Sequence, residues 1–92
     1  MQKVNVYKRQ TFECWKVNDS LELIELLADN GFTQIELQGM DYGIELTADR
    51  IGFVFISFQG FPAFVINRRN SITWDLRIFS EKDFANSEYY LD

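Results

Sequence analysis

The hydrophobic pattern of this 92-residue chain changes its period at Gly31, and that change restricts the fold more than any other feature. Before it, apolar residues recur every three or four positions: Leu21, Ile24, Leu27 and Ala28. From Phe32 to Phe79 they mostly alternate with polar residues. A period of 3.6 is typical of an amphipathic helix, and a period of two is typical of a strand with one solvent-exposed face. The sequence therefore predicts one helix followed by several strands.

The helix, predicted from Leu21 to Asn30, has start and stop signals. Asp19 is placed to cap its N-terminus, and Glu22 follows three residues later, as in a capping box. Gly31 is placed to end the helix in the left-handed conformation. Leu23 and Leu26 widen the apolar stripe. Three acids are predicted on the opposite, solvent-exposed side: Glu22, Glu25 and Asp29.

Strands are predicted on both sides of the helix. The segment from Lys3 to Val17 is rich in β-branched and aromatic residues and indicates one long or bent strand, interrupted near Lys8-Arg9-Gln10. The segment from Gly52 to Phe58 is apolar on both faces, which predicts a central strand. Four further strands are separated by turn residues: Phe32 to Gln38, Gly43 to Thr47, Ala63 to Asn67 and Ile72 to Phe79.

Together these elements predict an α+β fold in the order β-α-β-β-β-β-β, with an antiparallel sheet of about five strands and one amphipathic helix on one face. Residues 1–92 are predicted to form a single domain, because a chain this short buries about 60–65% of its unfolded surface, which is enough for one modest core. Ser80 and Asp83 are placed to cap a short helical turn around Phe84. No long helix is predicted between Gly60 and Phe79.

Several kinds of chemistry are excluded by residues that the chain lacks. It has no histidine and one cysteine, which excludes the common zinc sites and the Ser-His-Asp and Cys-His nucleophile systems. Cys14 is predicted to be a small buried hydrophobe. Asp41-Tyr42-Gly43 lacks the spacing of a calcium loop and indicates a turn, and no phosphate-binding glycine motif occurs. A carboxylate pair remains the one catalytic alternative. We expect a protein without enzymatic activity, metal or cofactor.

The charges of the chain are strongly segregated. Eight acids and no base lie between Val17 and Asp49, whereas the flanks hold all nine bases and six acids. The net charge of −5 is therefore a middle section of −8 set against flanks of +3. A separation of this kind creates a directional field, which favours a partner with a basic surface. Acids in the first turns of the helix also suit its dipole, so part of the pattern has a structural explanation.

Three segments together resemble small accessory proteins of phages and prophages of Gram-positive bacteria: Tyr7-Lys8-Arg9, Phe12-Glu13-Cys14-Trp15-Lys16-Val17 and Phe79-Ser80-Glu81-Lys82-Asp83-Phe84. The resemblance implies an intracellular protein of phage origin, in a setting where small acidic proteins bind and disable a host defence component.

No apolar run reaches the roughly 18 residues that span a bilayer, and the N-terminus lacks the apolar segment of a signal peptide. We expect the protein in the cytoplasm of the bacterial host.

A local resemblance involves Gly52-Phe53-Val54-Phe55-Ile56-Ser57-Phe58, which is similar to the aromatic strand of RNA-recognition-motif domains. It implies that Phe53 and Phe55 stack on bases and that Phe58 lies in the same strand. The alternative is that all three rings belong to an aromatic core. A basic turn at Arg68-Arg69 would contact phosphate or protect a sheet edge.

These observations predict a small acidic module that binds the basic surface of a host protein, such as a nucleic-acid-binding groove, and inhibits that protein. Five acids are predicted to carry the charge complementarity: Glu22, Glu25, Asp29, Glu36 and Glu45. Trp15 and Trp74 are either interface anchors or cross-strand packing residues. The alternative function is an RNA-binding or single-strand-binding module that uses Phe53, Phe55 and Phe58.

Overall fold

The computed structural model describes residues 1–70 and 72–92, in which the strands form two antiparallel sheets. The five-stranded sheet consists of β1 (Gln2–Lys8), β2 (Gln10–Val17), β6 (Ala63–Asn67), β7 (Leu76–Ser80) and β8 (Tyr90–Leu91), in the order β7-β6-β2-β1-β8. The three-stranded sheet consists of β3 (Thr33–Met40), β4 (Gly43–Asp49) and β5 (Phe53–Phe58), in that order. The helices are α1 (Ser20–Asp29) and α2 (Glu81–Ala85). The predicted antiparallel α+β architecture is confirmed, but the predicted element order and the single sheet are wrong.

The segment predicted as one bent strand is a hairpin. Lys8 pairs with Gln10, and Arg9 alone forms the turn with a φ of 65°. Alternation of apolar and polar residues continues through such a tight turn, so the pattern does not distinguish a bend from a reversal.

Helix α1 occupies the predicted segment, but a different face is buried. The Asp19 side chain caps it, with Oδ1 accepting the Glu22 N–H at 2.9 Å. Leu23, Leu26 and Leu27 are buried. The predicted stripe is wrong at three positions that are exposed: Leu21, Ile24 and Ala28. Leucine and isoleucine residues of α1 occupy much of its circumference, so the period alone does not determine which face is buried. Packing against β2 and β3 determines it.

Two apolar clusters lie on opposite faces of the five-stranded sheet. The main cluster lies between the two sheets and α1, and its buried members are Val17, Leu23, Leu26, Leu27, Phe32, Leu46, Ala48, Phe58, Ala63, Val65, Leu76 and Ile78. The second cluster is covered by α2 and the C-terminal segment, and its buried members are Val6, Cys14, Phe64, Ile66, Phe84 and Tyr89. All five residues of β6 are buried because its two sides face the two clusters.

The strand predicted to be central, β5, is an edge of the three-stranded sheet, and β4 is the middle strand. Gly43 at the start of β4 has a φ of 149°, and a Cβ there would lie 2.5 Å from the Phe58 carbonyl oxygen. Only glycine therefore permits the close approach of β4 to β5 at this end.

The last long strand is shorter than predicted, because β7 begins at Leu76 rather than at Ile72. No helix lies between Gly60 and Phe79 in the part of the chain that the structure describes, in agreement with the prediction. Of the predicted turn from Arg68 to Ser71, Ser71 lies outside the described residues. The predicted turn around Phe84 is α2, where the Ser80 hydroxyl oxygen accepts the Asp83 N–H at 3.3 Å.

Candidate functional site

The outer side of the three-stranded sheet is a surface that we call the open face. Residues that pair across neighbouring strands share a face, and pairing places ten side chains on this one. They are Thr33, Glu36, Gln38 and Met40 on β3, Glu45, Thr47 and Asp49 on β4, and Phe53, Phe55 and Ser57 on β5. The alternate residues of β4 and β5 point inward to the main cluster. None of the ten belongs to either cluster of buried residues.

Two phenylalanine rings of β5 lie on the open face. Phe53 is 70% exposed and Phe55 is 55% exposed, so the interpretation of these two as core residues is wrong. Phe58 points to the other side, is 4% exposed and contacts the Phe61 ring edge-on at 5.4 Å between centroids. Because Phe58 belongs to the main cluster, it is not available to stack on a base. Large adjacent apolar side chains in solvent are uncommon in monomeric proteins and typically mark an interaction surface.

Three acids share the open face with these rings. Thr47 pairs with Glu36 on one side and with Phe55 on the other. Asp49 pairs with Phe53. Glu45 pairs with Ser57, and the ten residues of the open face include no lysine or arginine. The face therefore combines exposed aromatic area with negative charge.

Glu45 also accepts a hydrogen bond from the nearby turn. The Tyr42 hydroxyl donates to its Oε2 at 2.7 Å. This hydrogen bond raises the pKa of the Tyr42 hydroxyl, and burial and the Glu45 charge add to the effect. Tyr42 is itself exposed beside the open face, so it presents a further aromatic ring there.

The acids of α1 lie on the other side of the sheet. The buried leucines of α1 share the main cluster with Leu46, whose side chain points inward, so β3 and β4 separate the helix from the open face. Glu25 and Asp29 are exposed on α1. The structure therefore brings Glu36 and Glu45 together with Phe53 and Phe55, and it does not bring the five predicted acids onto one face.

Glu22 differs from the other acids of α1 because its carboxylate has local partners. Its Oε1 accepts the Asn18 N–H at 3.1 Å and lies 3.0 Å from the Met1 amino group. The hydrogen bond from the Asn18 backbone is the main cause of the lowered pKa of Glu22, and the amino group adds to it. Glu22 therefore acts in the structure of the helix N-terminus.

A second feature adjoins β5, and we call it the arginine cleft. It is a cleft of about 380 Å³ between β5 and the segment that leads into β7. Three arginines line it: Arg50, Arg69 and Arg77. Asp75 also lines it and accepts from Arg77 Nη1 at 2.9 Å. Its apolar lining includes Phe55 and Trp74.

Two of the arginines are held by backbone carbonyl groups. Arg50 Nε donates to the Asn30 carbonyl at 2.9 Å, and its Nη1 donates to the Ile72 carbonyl at 2.7 Å. Arg77 Nη1 also donates to the Leu76 carbonyl at 3.0 Å. These bonds fix where the guanidinium groups lie, and they add no negative charge beyond that of the carbonyl dipoles.

The buried Asn67 shapes the segment that carries part of the cleft. Its Oδ1 accepts the N–H groups of Arg69 at 3.1 Å and Asp75 at 3.2 Å. Its Nδ2 donates to the Asn70 carbonyl at 2.9 Å. The sequence indicated only the basic turn at Arg68-Arg69, because no motif connects Arg50 and Arg77 to it.

The two tryptophans pack against each other. The Trp15 and Trp74 rings are stacked, with centroids 5.3 Å apart and planes at 16°. Both are partly buried against the main cluster. Their position favours the packing interpretation over the interface-anchor interpretation.

Within residues 1–70 and 72–92, no group of three or more acids and cysteines is placed to hold a metal ion. In the same residues, no helix has the length and apolar character needed to cross a membrane.

No protein-family model matches this sequence, and no curated protein or solved structure is significantly similar to it.

Proposed function

We propose that this protein is a non-enzymatic binding module that uses the open face to hold a basic surface of a protein partner. The observation that carries the proposal is that Glu36, Glu45 and Asp49 lie on the same face of the sheet as the exposed rings of Phe53 and Phe55. Aromatic side chains supply most of the energy at many interfaces, and complementary charges raise the association rate and suppress wrong partners.

The rings and the acids have different roles in this proposal. Phe53 and Phe55 would enter apolar pockets of the partner, because their exposed area gains free energy when water is removed. The carboxylates of Glu36 and Glu45 would pair with lysine or arginine at the rim, where they direct the encounter. Glu25 and Asp29 lie on the other side of the sheet and would contribute only to the long-range field.

The partner class that we propose is a host nucleic-acid-binding or defence protein, inhibited by occupation of its basic groove. Support for the charge of the partner comes from the acids of the open face and from the net charge of −5. Support for the phage setting comes only from the resemblance of the chain to phage accessory proteins.

The proposal is tested by comparing three forms of the protein as bait in a bacterial lysate. The wild type is compared with a Phe53→Ser/Phe55→Ser variant and with a control, Glu25→Gln/Asp29→Asn, that alters charge on α1 alone. We expect a basic protein to be captured by the wild type and by the control, and lost with the phenylalanine variant. Capture that depends on the helix acids and survives loss of both rings would contradict the proposal.

Single-stranded nucleic-acid binding is the second candidate, because the exposure of Phe53 and Phe55 meets the first requirement for base stacking. The acids of the open face oppose it, because phosphate neutralisation supplies most non-specific affinity. The nearest positive charge is that of the arginine cleft, which both rings also line. Phe58 takes no part, because it is buried. Salt-sensitive binding of an RNA or DNA oligomer that is lost with Phe55→Ala would favour this candidate over the first.

A further inference from the structure

We propose that the arginine cleft is a binding site for a small anion that carries a flat ring, of the size of a nucleoside monophosphate. This site lies along the edge of β5 that faces away from the acids of β3 and β4, and it shares the rings of Phe53 and Phe55 with the open face. The inference does not depend on the protein-binding role of that face.

Charge is the first observation that supports the site. Arg50, Arg69 and Arg77 converge on one cleft, and Asp75 is the only acid that lines it within the described residues. The cleft therefore has a local excess of positive charge, although the chain as a whole has a net charge of −5. Guanidinium groups are planar donors that bind phosphate and carboxylate through two parallel hydrogen bonds.

The shape and the apolar lining are the second observation. A cleft of about 380 Å³ lies in the range of small-molecule sites, which combine apolar walls with a few polar groups. Val54, Phe55 and Trp74 contribute the apolar part of the lining. A flat ring would lie against these side chains while its anionic group meets the arginines.

Preorganisation is the third observation. Asn67 holds the N–H groups of Arg69 and Asp75, and carbonyl groups hold the Arg50 guanidinium at two of its nitrogens. Groups fixed before binding lose little conformational freedom when a ligand arrives. Trp74 Nε1 is also buried with no hydrogen-bond partner among the described residues, and a buried donor is normally paired.

The test is calorimetric titration of the 92-residue chain with adenosine 5′-monophosphate, adenosine and inorganic phosphate. Trp15 and Trp74 are the two tryptophans of the chain, and Trp74 lines the cleft, so tryptophan fluorescence gives an independent signal. We expect the monophosphate to bind and to change this fluorescence. Adenosine and phosphate should each bind with an affinity at least about tenfold lower, because adenosine keeps only the contacts of the ring and phosphate keeps only the contacts with the arginines.

Arg69→Gln is the test variant and Arg9→Gln is its matched control. Both remove one positive charge, and Arg9 lies in the β1–β2 turn, outside the cleft. Arg69→Gln removes one charge-assisted contact and should lower the affinity for the monophosphate about tenfold. Arg9→Gln removes no contact with the ligand and should leave the affinity nearly unchanged. Denaturation by urea establishes that both variants are folded.

Three results would overturn the inference. One is the absence of any calorimetric or fluorescence response at a monophosphate concentration of about 10 mM, which is about ten times a weak dissociation constant of about 1 mM. Another is equal weakening by Arg69→Gln and Arg9→Gln, which would reduce the effect to net charge. The third is binding of a single-stranded oligomer without binding of the monophosphate, which would assign the arginines to the nucleic-acid function instead.

Discussion

Alanine substitutions along β5 test the orientation on which the open face depends. Phe58 is 4% exposed and contacts Phe61, so Phe58→Ala should lose about 3–5 kcal/mol of unfolding free energy through lost burial and the cavity left behind. Full burial of a phenylalanine stabilises by about 1.5–3 kcal/mol. Phe53 and Phe55 keep 70% and 55% of their area exposed, and each should therefore lose only about 1 kcal/mol on truncation.

The assay is urea denaturation of the three single variants, with thermal unfolding as a second measure. A loss of 1 kcal/mol lowers the melting temperature of a domain of this size by about 4–8 °C, so the two classes should separate clearly. Total stabilities are about 5–15 kcal/mol, and Phe58→Ala is able to unfold the chain. Phe58→Leu keeps part of the buried area, should lose about 2 kcal/mol, and preserves the comparison.

The reasoning would be refuted if Phe53→Ala and Phe55→Ala destabilised the protein as much as Phe58→Ala. Such a result would make β5 the central, fully buried strand that its apolar sequence predicts. The open face would then not exist in solution, and the protein-binding proposal would lose its main observation.

Three further predictions concern groups away from the open face. Glu22→Gln should destabilise at neutral pH, and its difference from the wild type should disappear as the pH falls well below the ordinary pKa of 4.5. A carboxylate whose pKa is lowered by folding stabilises the folded protein at pH values above its unfolded pKa, and this stabilisation is lost as the pH falls through the pKa of the folded state. Urea denaturation curves at several pH values measure the difference in unfolding free energy. Cys14 should not react with a thiol reagent at about pH 8 until the protein is unfolded, because burial raises its pKa to about 12; equal labelling in the native state would contradict its burial. Asn67→Ala should lose about 1–3 kcal/mol, because the N–H groups of Arg69 and Asp75 lose their acceptor; urea denaturation measures the loss, and an unchanged midpoint would disprove this role.

Local signals in the sequence predicted the bounds of some elements closely. The Asp19 cap and Gly31 placed α1 within a residue at each end, because caps act through neighbouring backbone groups. Strand β6 has the predicted bounds, Ala63–Asn67, since its apolar run is limited by turn residues. These signals depend on contacts within a few residues, and such contacts are readable without the tertiary structure.

The candidate site was less predictable, because it depends on which strands pair. Glu36 and Phe55 were assigned to competing functions, and the structure places both on the open face through their pairing with Thr47. The sequence alternation of β5 fits either orientation, because both of its faces are apolar. Arg50 and Arg77 were missed as cleft residues, since only the approach of β5 to β7 brings them together.

The two clusters on either side of the five-stranded sheet have a consequence for how the molecule unfolds. In β2, Cys14 belongs to the second cluster and Val17 to the main cluster, and in β6 the neighbours Val65 and Ile66 are divided in the same way. Removal of α2 and the C-terminal segment would therefore expose the side of β2 and β6 that belongs to the second cluster. The other side of the same two strands packs in the main cluster, so loss of one cluster weakens the other, and unfolding should be one cooperative transition. Amide hydrogens of β2 and β6 would then exchange last, in a single step with global unfolding.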